Sequence, residues 1–206
     1  MSSRPNESYG QRGVSWVDRF GVWLSQRAIR KRLPQRDDLV VVELGCGYRA
    51  TQLVALGDRL KRAVGVDFAI APEVKSLPKF ECHEGPIEDT LRRLERGAFD
   101  AVLLISVLEH LREPLAALES SHALLKPGGV LLVNVPTWRG KFFLELSAFQ
   151  LGLSPKVEMD DHRMYYDKRD LWPLLVRAGF LPSLLRLHYH KFGLNLFAAA
   201  TKQSDA

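Results

Sequence analysis

Apolar and polar positions follow two different rhythms along this chain. Between Val14 and Arg32, residues Trp16, Val17, Phe20, Trp23 and Leu24 recur at intervals of three and four, which puts them on one face of a helix. Packing of that face into a core is the expectation for so aromatic a stripe. Covering a ligand crevice and lining an acceptor pocket are the other uses open to it. Pro34 ends the helix, and Gln35 to Asp38 lead into a strand. From Leu39 the rhythm changes to alternating strand and helix. Strands are predicted near 39–44, 63–67, 80–84, 99–105 and 129–134, and helices near 50–57, 87–96 and 114–125. The run Ala101-Val102-Leu103-Leu104-Ile105 has no polar alternation, as expected of a strand covered on both faces. Strand–helix alternation of this kind implies a parallel sheet. Pro114 suits the first turn of its helix, and Pro127-Gly128-Gly129 is predicted to stop that helix before the next strand.

The regularity lapses from Pro136 to Asp160, where Trp138, Phe142, Phe143, Leu144, Leu146, Phe149 and Leu151 crowd together. A helical insertion is predicted over about 141–150. Pattern returns with a helix at 168–178 and strands at 181–190 and 193–201.

Composition narrows the class. The 206 residues are 46% hydrophobic, enough for one domain with a full core. Domain organisation reads as a tail and covering helix at 1–38, then one domain at 39–206 with an insertion at 138–162 whose bulky apolar groups suit a pocket wall, a dimer surface, a membrane-touching face or plain core. The opening MSSRPNESYGQR is polar and reads as a loose tail, not a signal peptide. No apolar stretch reaches the length that spans a bilayer. The two cysteines, Cys46 and Cys82, have no Cys or His at metal-ligand spacing and read as reduced thiols of a cytoplasmic protein. Part of the net charge of +5 lies in Arg27-Ala28-Ile29-Arg30-Lys31-Arg32, with Arg36 nearby. This run suits either a solvated helix end or an anionic partner. No nucleic-acid module signature accompanies it, so the first reading is preferred.

The chemistry lies at strand ends. Val40-Val41-Val42-Glu43-Leu44 runs into Gly45-Cys46-Gly47, a turn for which residues lacking a Cβ are suited. Ala63-Val64-Gly65-Val66 ends in Asp67, whose carboxylate can accept hydrogen bonds from a ribose diol. Together they describe a site for a nucleoside-containing cofactor. Glu43 beside the turn would repel a pyrophosphate but suits an ammonium group. S-adenosylmethionine carries an ammonium and a sulfonium and no phosphate. No G-x-x-x-x-G-K-[ST] motif is present.

Phe99-Asp100-Ala101 through Val107-Leu108-Glu109-His110-Leu111, then Leu124-Leu125-Lys126-Pro127-Gly128-Gly129, resemble class I S-adenosylmethionine-dependent methyltransferases, above all their small-molecule group. The resemblance runs from about Leu39 to Asn134 and resumes from Asp161-His162 to Ala178-Gly179-Phe180. It implies a Rossmann-like, doubly wound, mostly parallel seven-stranded sheet with an antiparallel terminal strand. It also implies that Glu43, Gly45, Cys46 and Gly47 hold the methionine part, and that Asp67 binds the ribose. Phe68, Pro86 and Ile87 would face the purine, with Glu88 or Asp89 as weaker polar candidates, and Ser106 would lie under the methyl.

Tyr48 stands where a third glycine is common in the family. Ser106-Val107-Leu108-Glu109 replaces the [Asn/Asp]-Pro-Pro-[Tyr/Phe] turn of nucleobase aminomethyltransferases, which argues against that chemistry. Ubiquinone-pathway O-methyltransferases, also similar here, carry a metal-binding acid where this chain has Ser106. Glu109 and His110 alone are too few for a firm site, so no required metal is expected. The candidate bases are His162, which follows the insertion, and His110, for which a structural role is favoured. His188 and His190 share a strand face and read as satisfied core or surface residues. The function expected from the resemblance is methylation of a small molecule or biosynthetic intermediate, preferentially at an oxygen, in preference to a nucleic acid. RNA or protein as acceptor, and a non-catalytic cofactor-binding module, are the alternatives.

Overall fold

A computed structural model describes residues 8–11, 16–142 and 163–204. Its elements, in chain order, begin with α1 (Trp16–Arg32), β1 (Leu39–Leu44), α2 (Thr51–Leu56), β2 (Leu60–Asp67), α3 (Pro72–Lys75) and β3 (Phe80–Glu84). They continue with α4 (Ile87–Leu91), β4 (Phe99–Ile105), α5 (Pro114–Leu124), β5 (Leu125–Pro136), α6 (Lys168–Arg177), β6 (Leu185–His190) and β7 (Asn195–Thr201). The seven strands form one sheet in the order β3-β2-β1-β4-β5-β7-β6. The first five are parallel, and β7 runs antiparallel to both β5 and β6. The antiparallel strand is therefore terminal in sequence but lies inside the sheet, with β6 at the edge.

Because β1, β2, β4 and β5 are covered on both sides, their apolar side chains feed two cores. On one face Val42, Leu44, Val64, Val102, Leu104, Leu131 and Val133 pack with Leu118 of α5, Leu171 and Leu175 of α6, and Phe180. On the other, Val41, Ala63, Ala101, Leu103 and Leu132 meet Ile29 and Leu33 around α1 and Leu53 and Leu56 of α2. The connections reverse direction between β1 and β4. That is the switch point where open α/β sheets bind ligands at the carboxyl ends of their strands.

Several boundaries differ from those expected, each for a local reason. The exposed side of α1 carries Phe20 and Trp23, about half exposed and stacked 5.8 Å apart, while Ser25 and Ile29 turn inward. Phe20 and Trp23 of the aromatic stripe thus lie off the core face. Helix α4 stops at Leu91 instead of 96, because the Gly97 and Ala98 amides must donate to the Ala123 and Leu124 carbonyls before β4 begins. Pro127-Gly128-Gly129 lies in a bulge within β5, where the register with β4 jumps from Phe99↔Leu125 to Ala101↔Val130; α5 has already ended at Leu124. Pro182 opens a short 3-10 turn over Pro182–Leu184, so β6 starts at Leu185 instead of 181. The helix expected over 141–150 lies outside the described residues except at its start, where 138–142 are helical.

The basic run is partly absorbed by the fold. Arg30, Lys31 and Arg32 occupy the last turn of α1, where cations complement the helix dipole. Arg30 donates to the Ala55 carbonyl of α2. Arg36 pairs with the buried carboxylate of Asp100 at 2.6 Å, which also receives Lys126 at 2.9 Å and the Val40 amide at 2.7 Å. This cluster fastens the amino ends of β1 and β4 to the start of β5, at the end of the sheet opposite the crevice.

Candidate functional site at the carboxyl ends of the strands

The turn after β1 is built from backbone hydrogen bonds. The Gly45 and Cys46 amides both donate to the Val66 carbonyl, at 2.8 and 3.0 Å. Gly45 has φ +75°, and a Cβ there would lie 2.4 Å from Val107 Cγ2, so the position excludes a side chain because the loop after β4 packs against it. The Gly47 amide donates to Asp67 Oδ2 at 2.7 Å, which locks the turn to the end of β2. Ala50, just before α2, is buried with φ +42°. Cys46 is also buried, and its sulfur lies 3.1 Å from where a Cβ on Gly65 would be. Its thiol therefore faces the core, and burial pushes its pKa up, so it is a packing group and not a nucleophile.

Glu43 is buried, and Oε2 has no hydrogen-bond partner. Desolvation, reinforced by the negative charge of Asp67, raises its pKa well above the usual carboxylate range. A cation beside Oε2 would reverse that cost, so Glu43 suits an ammonium group. A raised pKa opposes folding once pH exceeds the ordinary carboxylate range, because the folded chain holds a proton the unfolded chain has released. Glu43→Gln is thus expected to raise the thermal midpoint of the ligand-free chain at pH 8, with a smaller gain at pH 5, while weakening cofactor binding. Thermal unfolding at the two pH values checks this; a lower midpoint at pH 8 would contradict it.

Asp67 Oδ1 accepts from the Phe68 amide at 2.8 Å and from Ser8 Oγ at 2.5 Å. The stretch read as a loose tail is therefore packed here in part: Ser8 is buried, and Tyr9 accepts from the Tyr48 amide at 2.9 Å. Beside Asp67, the Gly85 amide donates to the Asp67 carbonyl at 2.9 Å. This brings Pro86 and Ile87 to the same end of the sheet as Phe68, which is 44% exposed. Glu84 accepts from the Ile70 amide at 2.8 Å and pairs with Lys75 at 2.8 Å, and these contacts hold its pKa below the usual value. Glu88 and Asp89 are exposed on α4. The structure thus gathers Glu43, Gly45, Gly47, Asp67, Phe68, Pro86 and Ile87 at the carboxyl ends of β1, β2 and β3. Its buried carboxylate with an unpartnered oxygen, its acid at a strand end and its apolar flank fit the ammonium, ribose and purine of S-adenosylmethionine.

Ser106 ends β4 with φ +57°, is exposed, and donates its amide to the Asn134 carbonyl at 2.8 Å. Glu109 is buried beneath the returning chain: the Arg163 amide donates to its carbonyl at 2.9 Å. Tyr166 fixes the same segment through its amide to Pro136, and burial pushes its phenol up to about 12. These contacts make the Glu109-His110 turn a docking point for the returning chain. His162 lies outside the described residues. Among the described residues no group of three His, Cys, Asp or Glu side chains is placed to hold a metal ion. No helix among them is long and apolar enough to cross a membrane.

One feature escaped sequence reasoning. Ile105, Asn134, Phe197 and His188 lie in cross-strand register on β4, β5, β7 and β6. Asn134 is fully buried, yet its Oδ1 and Nδ2 have no partner; nor have His188 Nδ1 and His190 Nε2. The histidines are therefore not satisfied as expected. Burial, with Lys191 and His188 nearby, lowers the His190 pKa to about 4, so its ring is neutral at physiological pH. An asparagine two residues before Pro136 gave no periodic signal, and only strand register joins it to His188.

Comparison with known proteins places the chain in a family. A family model described as a methyltransferase domain matches residues 18–181. An uncharacterised 37.1 kDa protein in a transposon of Streptomyces fradiae is 29% identical over 151 residues, 67% of this chain and 43% of that protein. A ubiquinone biosynthesis O-methyltransferase of Dinoroseobacter shibae is 36% identical over 158 residues, 70% of this chain and 60% of that protein. The chain thus spans less than two thirds of either relative. The crystal structure of an S-adenosylmethionine-dependent methyltransferase from Archaeoglobus fulgidus superposes with a TM-score of 0.65 at 12% identity, covering 91% of this chain and 100% of that one. At that identity the likeness concerns the fold.

Proposed function

We propose that this chain, which belongs to the methyltransferase-domain family and is an S-adenosylmethionine-dependent methyltransferase, methylates an oxygen of a small molecule or biosynthetic intermediate. The observation that carries the cofactor half of this reading is the buried, partly unpartnered carboxylate of Glu43, set in one crevice with Asp67. Oxygen as the acceptor atom is supported by the likeness to a protein named as a ubiquinone biosynthesis O-methyltransferase.

S-adenosylmethionine supplies a methyl group on a sulfonium, already activated for in-line displacement. The residues have only to bind, orient and exclude water. Glu43 receives the ammonium, and Asp67 accepts from the ribose. Phe68, Pro86 and Ile87 flank the purine. Ser106, at the end of β4, borders the reacting carbon. The acceptor lies beyond it, along the row Ile105–Asn134–Phe197–His188, whose unpartnered amide and imidazole atoms orient a hydroxylated molecule. His190 holds no proton at neutral pH, but a pKa near 4 makes it a weak base for a hydroxyl group. The general base is assigned to His162, at the return of the 138–162 segment.

The test is transfer of an isotopically labelled methyl group from the cofactor. A panel of phenolic and other hydroxylated small molecules is compared with the corresponding amines, bulk RNA and protein. Labelled ethers or esters are the expected products. Label confined to RNA, protein or amines would overturn the assignment.

A further inference from the structure

The amino-terminal segment is hydrogen-bonded to Asp67, the acid to which the ribose is assigned above. A carboxylate offers about four acceptor positions. The Gly47 and Phe68 amides use two of those on Asp67, at 2.7 and 2.8 Å. Two remain, the number a vicinal diol needs. Ser8 fills one of them, with Oγ donating to Asp67 Oδ1 at 2.5 Å and accepting from the Ala69 amide at 2.7 Å. A hydroxyl that donates to the acid and accepts from the amide just beyond it makes the pair of bonds open to a ribose hydroxyl at the same point.

The neighbouring residue reinforces the placement. Tyr9 accepts from the Tyr48 amide at 2.9 Å, and its carbonyl oxygen lies 3.2 Å from where a Cβ on Gly47 would stand. The Gln11 amide donates to the Ser8 carbonyl at 3.2 Å, closing a turn that presents Ser8 inward. Ser8 is 5% exposed, so this hydroxyl is built into the crevice and does not graze its rim.

We propose that residues 8–11 form an internal strap whose Ser8 hydroxyl stands in for a ribose hydroxyl of the cofactor, which must displace it to bind. The strap is an autoinhibitory contact at the cofactor site, and the proposal rests on Asp67 being the ribose acid. With the strap seated, only the open fraction of molecules is competent, and apparent affinity falls by that fraction. Removing the Ser8 hydroxyl shifts the balance toward the open form. The Tyr9–Tyr48 hydrogen bond lets go when the strap leaves, so the Tyr48 amide reports its departure independently.

Calorimetric titration of the full chain with S-adenosylhomocysteine compares the wild type, Ser8→Ala and Asp67→Ala. Ser8→Ala is expected to bind about three- to tenfold more tightly. An unchanged or weaker affinity would overturn the strap. Asp67→Ala keeps the two failures apart: if it binds as the wild type does, the ribose assignment itself is wrong. Hydrogen exchange of the wild-type chain supplies the second readout. The Tyr48 amide is expected to exchange faster with the ligand bound, whereas slower exchange would show that the segment closes over the ligand and would contradict displacement.

Discussion

Asp67→Ala is expected to raise the dissociation constant for S-adenosylhomocysteine by about ten- to a hundredfold, the range set by losing hydrogen bonds to a charged acceptor, roughly 1.5–3 kcal/mol. The effect has two sources. One is direct, the loss of the acceptor for the ribose diol. The other is structural, because Asp67 also holds the Gly47 and Phe68 amides and so fixes the turn beside Glu43. Freeing the crevice of the Ser8 hydroxyl works in the opposite direction, but it relieves competition for one acceptor position while the variant loses all of them. Asp67→Asn separates the two sources. Its amide oxygen can still accept from one backbone amide, so it should retain more of the folded stability than Asp67→Ala while still binding weakly. Calorimetry with parallel thermal unfolding measures both quantities. A dissociation constant equal to that of the wild type would remove Asp67 from the site.

The largest stability effect is expected at the other end of β4. Asp100 is 4% exposed and accepts from Arg36, Lys126 and the Val40 amide. Asp100→Ala leaves Lys126 and the half-buried Val40 amide without this acceptor, while Arg36 keeps only its exposed pair with Asp38 at 2.9 Å. Breaking a buried pair from one side costs about 3–5 kcal/mol; because Arg36 and Lys126 are 45% and 38% exposed, water compensates part of this and the lower end applies. For a domain of this size that is a fall of about 6–12 °C in thermal midpoint. Cofactor affinity should change little at temperatures where the variant is folded, since the cluster lies at the amino ends of the strands and the crevice at their carboxyl ends. A shift below 1 °C in thermal unfolding would show that the cluster contributes nothing.

How much of this was legible in the sequence depended on whether the signal was local. The strand 99–105 was plain because Ala101 to Ile105 is an unbroken apolar run, and the strand ends at Glu43 and Asp67 stood out because acids interrupt such runs. The end of α4 was not legible, since it is set by bonds from Gly97 and Ala98 to carbonyls at the end of α5, more than 20 residues away. Nor was the inward face of α1, where neighbours and not periodicity turn Ile29 inward and leave Trp23 half exposed. Within the crevice, Glu43, the glycines and Asp67 were readable from type and spacing. Ser8 was hidden because a serine in a polar tail has no distinguishing pattern, and its bond to Asp67 spans 59 positions. Asn134 was hidden because its relation to His188 exists only through strand register. The resemblance added the order of the motifs, which no single motif would have made specific.

The most direct measurement is calorimetric titration of the 206-residue chain with S-adenosylmethionine, S-adenosylhomocysteine and nicotinamide adenine dinucleotide, each in turn. Saturable 1:1 binding of the first two, and none of the dinucleotide, is the result that a glycine turn flanked by Glu43 and Asp67 predicts. Saturable binding of the dinucleotide, with neither sulfur-containing ligand bound, would contradict it.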